Sequence, residues 1–403
     1  MGQDSPRQQL IATAGEAVGE RGVLPFGRPM LADRERAAVM QVLHGPILTH
    51  GPRVQAFESA FAAFTGAPHA IATSTCTASL HLAYMSLGLA AGDEVIVPAM
   101  SHVATAHAVE LCGGRCVFVD AEPLTGNIDI DLIERSITPR TRAICMVHFL
   151  GMPVDMARVC RIAEKHDLFV IEDCALALGA RYCADHVGLW GDVGCFSFYP
   201  AKHITTGEGG MTITRRDDVA EMTAQQRAFG IDRNIISERT IPGEYDVESL
   251  GANYRMTEMA AAIGVEQMRR LGGFLQQRRE NYEILSEGLR EIQEIETLTT
   301  SHGPFESACY CHCIVLDGSQ QWRRREIIED LRSRGIGTSI YYPQPIPMLS
   351  WYRQNYGHRD EDFPVASRIS AALIALPVGP HLNGDDMRYI VAVVKEAIRS
   401  ELI

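Results

Sequence analysis

A ladder of short apolar runs between residues 94 and 215 constrains this chain more than any other feature: "EVIVPA", "CVFVDAE", "RAICMVHF", "LFVIEDC", "VGCFSFY" and "GGMTITR". Near-continuous Val, Ile and Phe runs of this length read as strands covered on both faces. Amphipathic segments of helix length lie among them, such as "DMARVCRIAEKHD" after Pro153 and "CTASLHLAYMSLGLAAG", which ends on a glycine before Asp93. Strands alternating with helices predict an α/β fold with a mainly parallel central sheet flanked by helices.

The pattern predicts a large α/β domain over residues 23–270, after a polar, glycine-containing leader over residues 1–22. A helical stretch, "TEMAAAIGVEQMRRLGGFLQQRRENYEILSEGLREI", leads out of it. From about residue 295 the pattern becomes strand, helix, strand and final helix, "DDMRYIVAVVKEAIRSEL", so residues 271–403 are expected to hold a linking helix and a smaller C-terminal α+β domain. The 403 residues are enough for both cores.

A net charge of -13 argues against nucleic acid as a partner, because phosphate-backbone binding draws on clustered Lys and Arg. No apolar stretch reaches the roughly 20 residues that span a bilayer. The N-terminus lacks the basic start, apolar run and small-residue cleavage site of a signal peptide, so a cytoplasmic location is expected. The eleven cysteines are irregularly spaced and read as reduced thiols. In the "CYCHC" run, strand alternation would put Cys309, Cys311 and Cys313 on one face and His312 on the other. That split fits buried thiols better than a zinc site, and no metal is expected.

Four features carry possible chemistry. Lys202 in "FSFYPAKHITTGEGG" follows a strand and precedes a glycine-rich loop, which places its amine at a strand end where open parallel sheets bind ligands. A lysine among apolar and hydroxyl neighbours loses its proton more easily, and a neutral amine condenses with an aldehyde; the alternative is a solvated surface lysine. Asp173 ends the strand of "FVIEDC", where a carboxylate can face a protonated ring nitrogen or simply cap a turn. Cys76 and Thr77 open a helix whose free N–H groups suit a phosphate, or merely an N-cap. His102 follows "EVIVP", where its ring could stack on an aromatic cofactor or serve as a structural hydrogen-bonding group.

These residues sit in segments that resemble the DegT/StrS family of sugar aminotransferases, vitamin-B6 enzymes with the aspartate aminotransferase fold. The similar segments run in family order through "LPFGRPML", "LTHGPRVQAFE", "STCTASLHLA", "GDEVIVPA", "VFVDAEPLTGNID", "HFLGMPVDM", "VIEDCALALGA", "FSFYPAKHITTGEGG", "LGANYRMTEMAAAIG" and "LPVGPHL", covering nearly everything after residue 22. The resemblance implies pyridoxal 5'-phosphate as cofactor, with Lys202 holding it as an imine and then acting as general base. It implies that Asp173 faces the pyridine nitrogen, that His102 stacks on the ring and that Ala175 packs its other face. The phosphate would meet Cys76, Thr77 and Ser197, together with Asn253 reaching over from a neighbouring subunit, so a homodimer with shared active sites is expected.

The chain also departs from the family. Leu176 stands where members usually carry His or Gln near the cofactor's ring oxygen, and "CYCHC" and "YYPQPIPM" replace common pocket segments. The expected activity is amino transfer from glutamate or glutamine to the ketone of a sugar, in the first place a nucleotide-linked keto-deoxy sugar. The alternatives are a keto-cyclitol or another natural-product ketone as acceptor, or a regulatory protein that binds the cofactor without turnover. Relatives that act as sugar 3-dehydratases replace the lysine with histidine, whereas Lys202 is present here.

Overall fold

The computed structural model describes residues 22–232 and 244–399; apart from Gly22, the expected leader lies outside the described residues. Seven strands form the central sheet: β1 (His69–Thr73), β2 (Glu94–Pro98), β3 (Arg115–Val119), β4 (Thr141–Val147), β5 (Phe169–Asp173), β6 (Val193–Ser197) and β7 (Gly210–Thr214), ordered β1-β7-β6-β5-β4-β2-β3. From β3 across to β6 all neighbours are parallel. β7 is antiparallel to both β6 and β1. All strands except β7 therefore end on the same edge of the sheet.

Six of these strands are the apolar runs of the sequence. β1, "HAIAT", is the addition: two alanines and a histidine give it little strand signal, and its conformation follows from pairing with β7. β2 and β7 are buried at every residue, as expected of strands covered on both faces. The helix after β1 is Cys76–Ser86, shorter than expected, because Gly88 takes a left-handed φ of 74° that ends it one turn before Gly92. The segment after Pro153 forms the helix Met156–His166, whose N-cap Asp155 accepts from the Arg158 amide.

A 32-residue helix, Glu258–Leu289, runs unbroken through residue 270, where the sequence pattern suggests a boundary. Its first residue fixes another helix. The buried Glu258 carboxylate accepts from the amides of Gly51, Arg53 and Val54 at 3.0, 2.8 and 3.0 Å, satisfying the free N–H groups that open Pro52–Thr65. A Cβ on Gly51 would lie 2.6 Å from that carboxylate, so glycine alone permits the approach.

Beyond this helix, Ile295–Thr297, His312–Leu316 and Leu373–Leu376 form an antiparallel three-stranded sheet with 312–316 in the middle, one strand more than the pattern suggests. The final helix is Gly384–Arg399. Asp120, just past β3, accepts from the amides of Val365 and Ala366 at 3.0 and 2.8 Å, tying the start of helix Pro364–Ala372 to the central sheet.

All eleven cysteines are free. The expected alternation through "CYCHC" is corrected: the strand begins at His312, and Cys309 has φ 49°, which breaks the two-residue period. Cys311 and Cys313 do share a face, with sulfurs 3.6 Å apart, and all three thiols are buried. No helix of the described residues is long and apolar enough to cross a membrane.

Candidate active site

The shared edge of the sheet collects most of the residues singled out in the sequence. Lys202 sits in the turn after β6, its amide donating to Tyr199 O at 2.9 Å, and its amine lies 5.5 Å from the centre of the Tyr310 ring. Burial pushes the Lys202 ammonium below its ordinary value, with Cys76, Asp173 and Cys311 acting in the opposite direction. The half-buried amine is therefore easier to deprotonate than a surface lysine.

Asp173 ends β5 and is buried. Its Oδ1 accepts from the Ala175 amide at 3.0 Å, the local turn contact considered in the sequence, and its Oδ2 accepts from Thr105 Oγ1 at 2.8 Å. The carboxylate is held from both sides. Ala175 follows at once, partly exposed.

Cys76 and Thr77 are the first residues of their helix, and their amides have no acceptor within it. The Thr75 side chain caps the Ala78 amide at 3.0 Å and does not occupy the earlier two amides. Gly210 pairs with Thr73 on one side and Ser197 on the other. A Cβ there would come within 2.4 Å of Thr75 O, so the glycine lets this turn close against β7. Ser197 accepts from the Tyr199 amide at 3.4 Å.

His102 caps the helix Val103–Leu111, its Nδ1 accepting from Ala104 N at 3.2 Å. The ring is exposed and meets Tyr342 edge-on at 5.9 Å, so the structural role and an open ring face coexist. Asn253 is also exposed; its Oδ1 accepts from Arg255 Nε at 3.0 Å, and no hydrogen bond among the described residues ties it to Lys202 or Asp173. Leu176 is buried in the main core.

Three groups of contacts went unnoticed in the sequence. Thr105 is one, three residues into the segment after His102. Glu172 is another: it faces away from Asp173 and accepts from His148 Nε2 at 2.9 Å and from the amides of Gly188, Trp190 and Gly191 at 2.7, 2.8 and 2.7 Å. Burial pushes the Glu172 carboxyl up, but His148 and the amides outweigh it and hold the group below its ordinary value. The adjacent acids in "VIEDC" were the available signal, since neighbours on a strand serve opposite faces. The last is a tyrosine wall, in which the Tyr310 and Tyr341 hydroxyls lie 2.9 Å apart and the Tyr341 and Tyr342 rings pack at 5.3 Å.

The sequence profile of the DegT/DnrJ/EryC1/StrS aminotransferase family matches residues 29–395. The chain belongs to this family. It is a pyridoxal phosphate-dependent aminotransferase. It is 34% identical to the spore coat polysaccharide biosynthesis protein SpsC of Bacillus subtilis, with 93% of this chain and 97% of SpsC covered. It is 32% identical to the GDP-perosamine synthase of Escherichia coli O157:H7, covering 93% of this chain and 98% of the synthase. Among solved structures, Helicobacter pylori PseC, an aminotransferase involved in pseudoaminic acid biosynthesis, superimposes with a TM-score of 0.88 at 28% identity, covering 94% of this chain and all of PseC.

The residues of this aminotransferase fit the cofactor. An aldehyde calls for an amine of lowered basicity, a pyridine nitrogen for a fixed carboxylate, and a phosphate for free helix-opening amides; Lys202, Asp173 and the Cys76–Thr77 amides meet these needs at one sheet edge.

Proposed function

We propose that this aminotransferase moves an amino group from glutamate or glutamine onto the ketone of a sugar, in the first place a nucleotide-linked keto-deoxy sugar. The observation that carries the catalytic part is the buried, doubly held Asp173 carboxylate at the same edge as the half-buried Lys202 amine. The acceptor class rests on similarity to GDP-perosamine synthase and to PseC.

Bound pyridoxal phosphate supplies an aldehyde that exchanges amines and a ring that accepts an electron pair. Lys202 Nζ would hold the cofactor at rest and, once displaced by the donor, take the proton from the donor's α-carbon. Asp173 would keep a positive charge on the ring nitrogen, with Thr105 and the Ala175 amide fixing its orientation. The Cys76 and Thr77 amides and the Ser197 hydroxyl would bind the phosphate, while His102 and Ala175 would cover the ring's two faces. Asn253 would complete the phosphate site of a partner copy in a homodimer, a role its exposure supports.

The test is amination of candidate nucleotide-linked keto-sugars with glutamate as donor, read by product mass. A mass change matching ketone-to-amine exchange supports the reading. Donor-dependent loss of the cofactor's aldehyde absorbance without amination of any sugar ketone overturns the acceptor class, and no response to any amino donor overturns the enzymatic role.

A further inference from the structure

Cys311 and Cys313 flank His312, the first residue of the middle strand of the small sheet, and the amino-transfer reading gives neither a role. Their sulfurs lie 3.6 Å apart, and both residues are only 4% exposed. No other hydrogen bond among the described residues engages either sulfur. Cys309, the third thiol of the run, stands outside the pair: its Sγ donates to Ser307 O at 3.8 Å.

The spacing selects what such a pair can hold. A disulfide brings two sulfurs to about 2.0 Å, far closer than these. A linear two-coordinate ion holds them about 4.6 Å apart, twice a metal–sulfur bond of about 2.3 Å, whereas a bent centre with angles of about 90–110° holds them about 3.3–3.8 Å apart. The observed 3.6 Å matches the bent centre. Zinc has such angles but takes four ligands, and among the described residues no third His, Cys, Asp or Glu joins this pair; the one cluster of three there is His148, Glu172 and Cys174. The two sulfurs line a hollow of about 10 Å³ with Phe149, Tyr282, Thr299 and Thr300, room for one atom the size of a water oxygen. Thr299 and Thr300 are half-buried, so the hollow lies next to the surface.

We propose that Cys311 and Cys313 form a two-sulfur site for a small trivalent arsenical, a bent thiophilic centre that needs only two sulfurs because it carries a carbon substituent of its own. Methylarsonous acid is of this class. Each S–H exchanges with one As–OH, forming an As–S bond and releasing one water, so arsenic stays trivalent and no thiol is oxidised. Burial and the neighbouring Cys311 push the Cys313 thiol above its ordinary value, which weakens capture of ions that need thiolates and suits an exchange that carries the thiol protons away as water. The site stands one residue from Tyr310, whose ring centre is 5.5 Å from the Lys202 amine, and does not depend on which ketone is aminated.

Intact-mass spectrometry of the folded, cofactor-loaded protein tests the site, after incubation with methylarsonous acid and a wash with excess glutathione, a monothiol. The wild type is expected to keep one methylarsenic group through the wash and to lose it to dimercaptopropanol, a dithiol. Cys311→Ser and Cys313→Ser are each expected to retain it about a hundredfold less, because the second As–S bond closes within one molecule and its loss leaves a single exchangeable bond. Cys309→Ser and Cys183→Ser are expected to retain it as the wild type does. A group that survives the wash in both Cys311→Ser and Cys313→Ser, or a wild type that keeps none, overturns the proposal. Should a serine variant fail to fold, fragment mapping of the modified wild type carries the test: methylarsenic linking Cys311 to Cys313 supports the site, and methylarsenic held elsewhere overturns it.

Discussion

Thr105 Oγ1 donates a 2.8 Å hydrogen bond to Asp173 Oδ2. Ser101 Oγ lies 2.8 Å from the same hydroxyl, and because the single Thr105 proton goes to the carboxylate, Ser101 must be the donor in that second bond. A relay from one helix entry thus aims the carboxylate at the end of β5. Thr105→Val keeps the shape and removes the donor. A hydrogen bond to a charged group contributes about 1.5–3 kcal/mol, so kcat is expected to fall by about ten- to a hundredfold. Thr105→Ser should restore most of it, and steady-state kinetics on the two variants check both.

Asp173→Asn is expected to leave the fold intact and slow turnover by roughly four orders of magnitude or more, since the ring nitrogen loses its counter-charge. Circular dichroism together with single-turnover rates checks this, and wild-type rates would mean that another group faces the nitrogen.

The Glu172 carboxyl is held below its ordinary value in the folded chain, so its stabilising contribution is present above the unfolded value, about 4.3, and fades as pH falls below it. Glu172→Gln leaves an amide N–H₂ among three backbone donors and is expected to cost about 3 kcal/mol or more at pH 7. The variant should also lose part of the wild-type fall in stability between pH 4.5 and lower values. Denaturant midpoints over that range measure both effects.

Leu176 is 3% exposed and packed in the core. Leu176→Gln is therefore expected to bury an unpaired amide and cost about 1–3 kcal/mol, with the pH titration of the cofactor's visible band unchanged. A moved titration at undiminished stability would put this side chain beside the cofactor instead.

Asn253 is exposed, and among the described residues no hydrogen bond ties it to Lys202 or Asp173. Mixing Lys202→Ala with Asn253→Ala chains, each inactive, is expected to restore part of the activity, because a mixed dimer would carry one intact site. No recovery after demonstrated subunit exchange would place each site within one chain.

What the sequence determined by itself follows from local rules. Six of the seven strands of the central sheet announce themselves as buried apolar runs; Lys202, Asp173 and His102 announce themselves by ending or following such runs, because strand ends of a parallel sheet share an edge, and Cys76 by opening a helix. "HAIAT" is a strand only through its partner Gly210–Thr214, so no local signal marks it. Cys309 leaves the strand period through one backbone angle, which composition does not encode. Thr105 and Asp173 are 68 residues apart. Such a contact depends on how helices and strands pack, so only the tertiary structure decided which carboxylate is held and that Leu176 lies in the core.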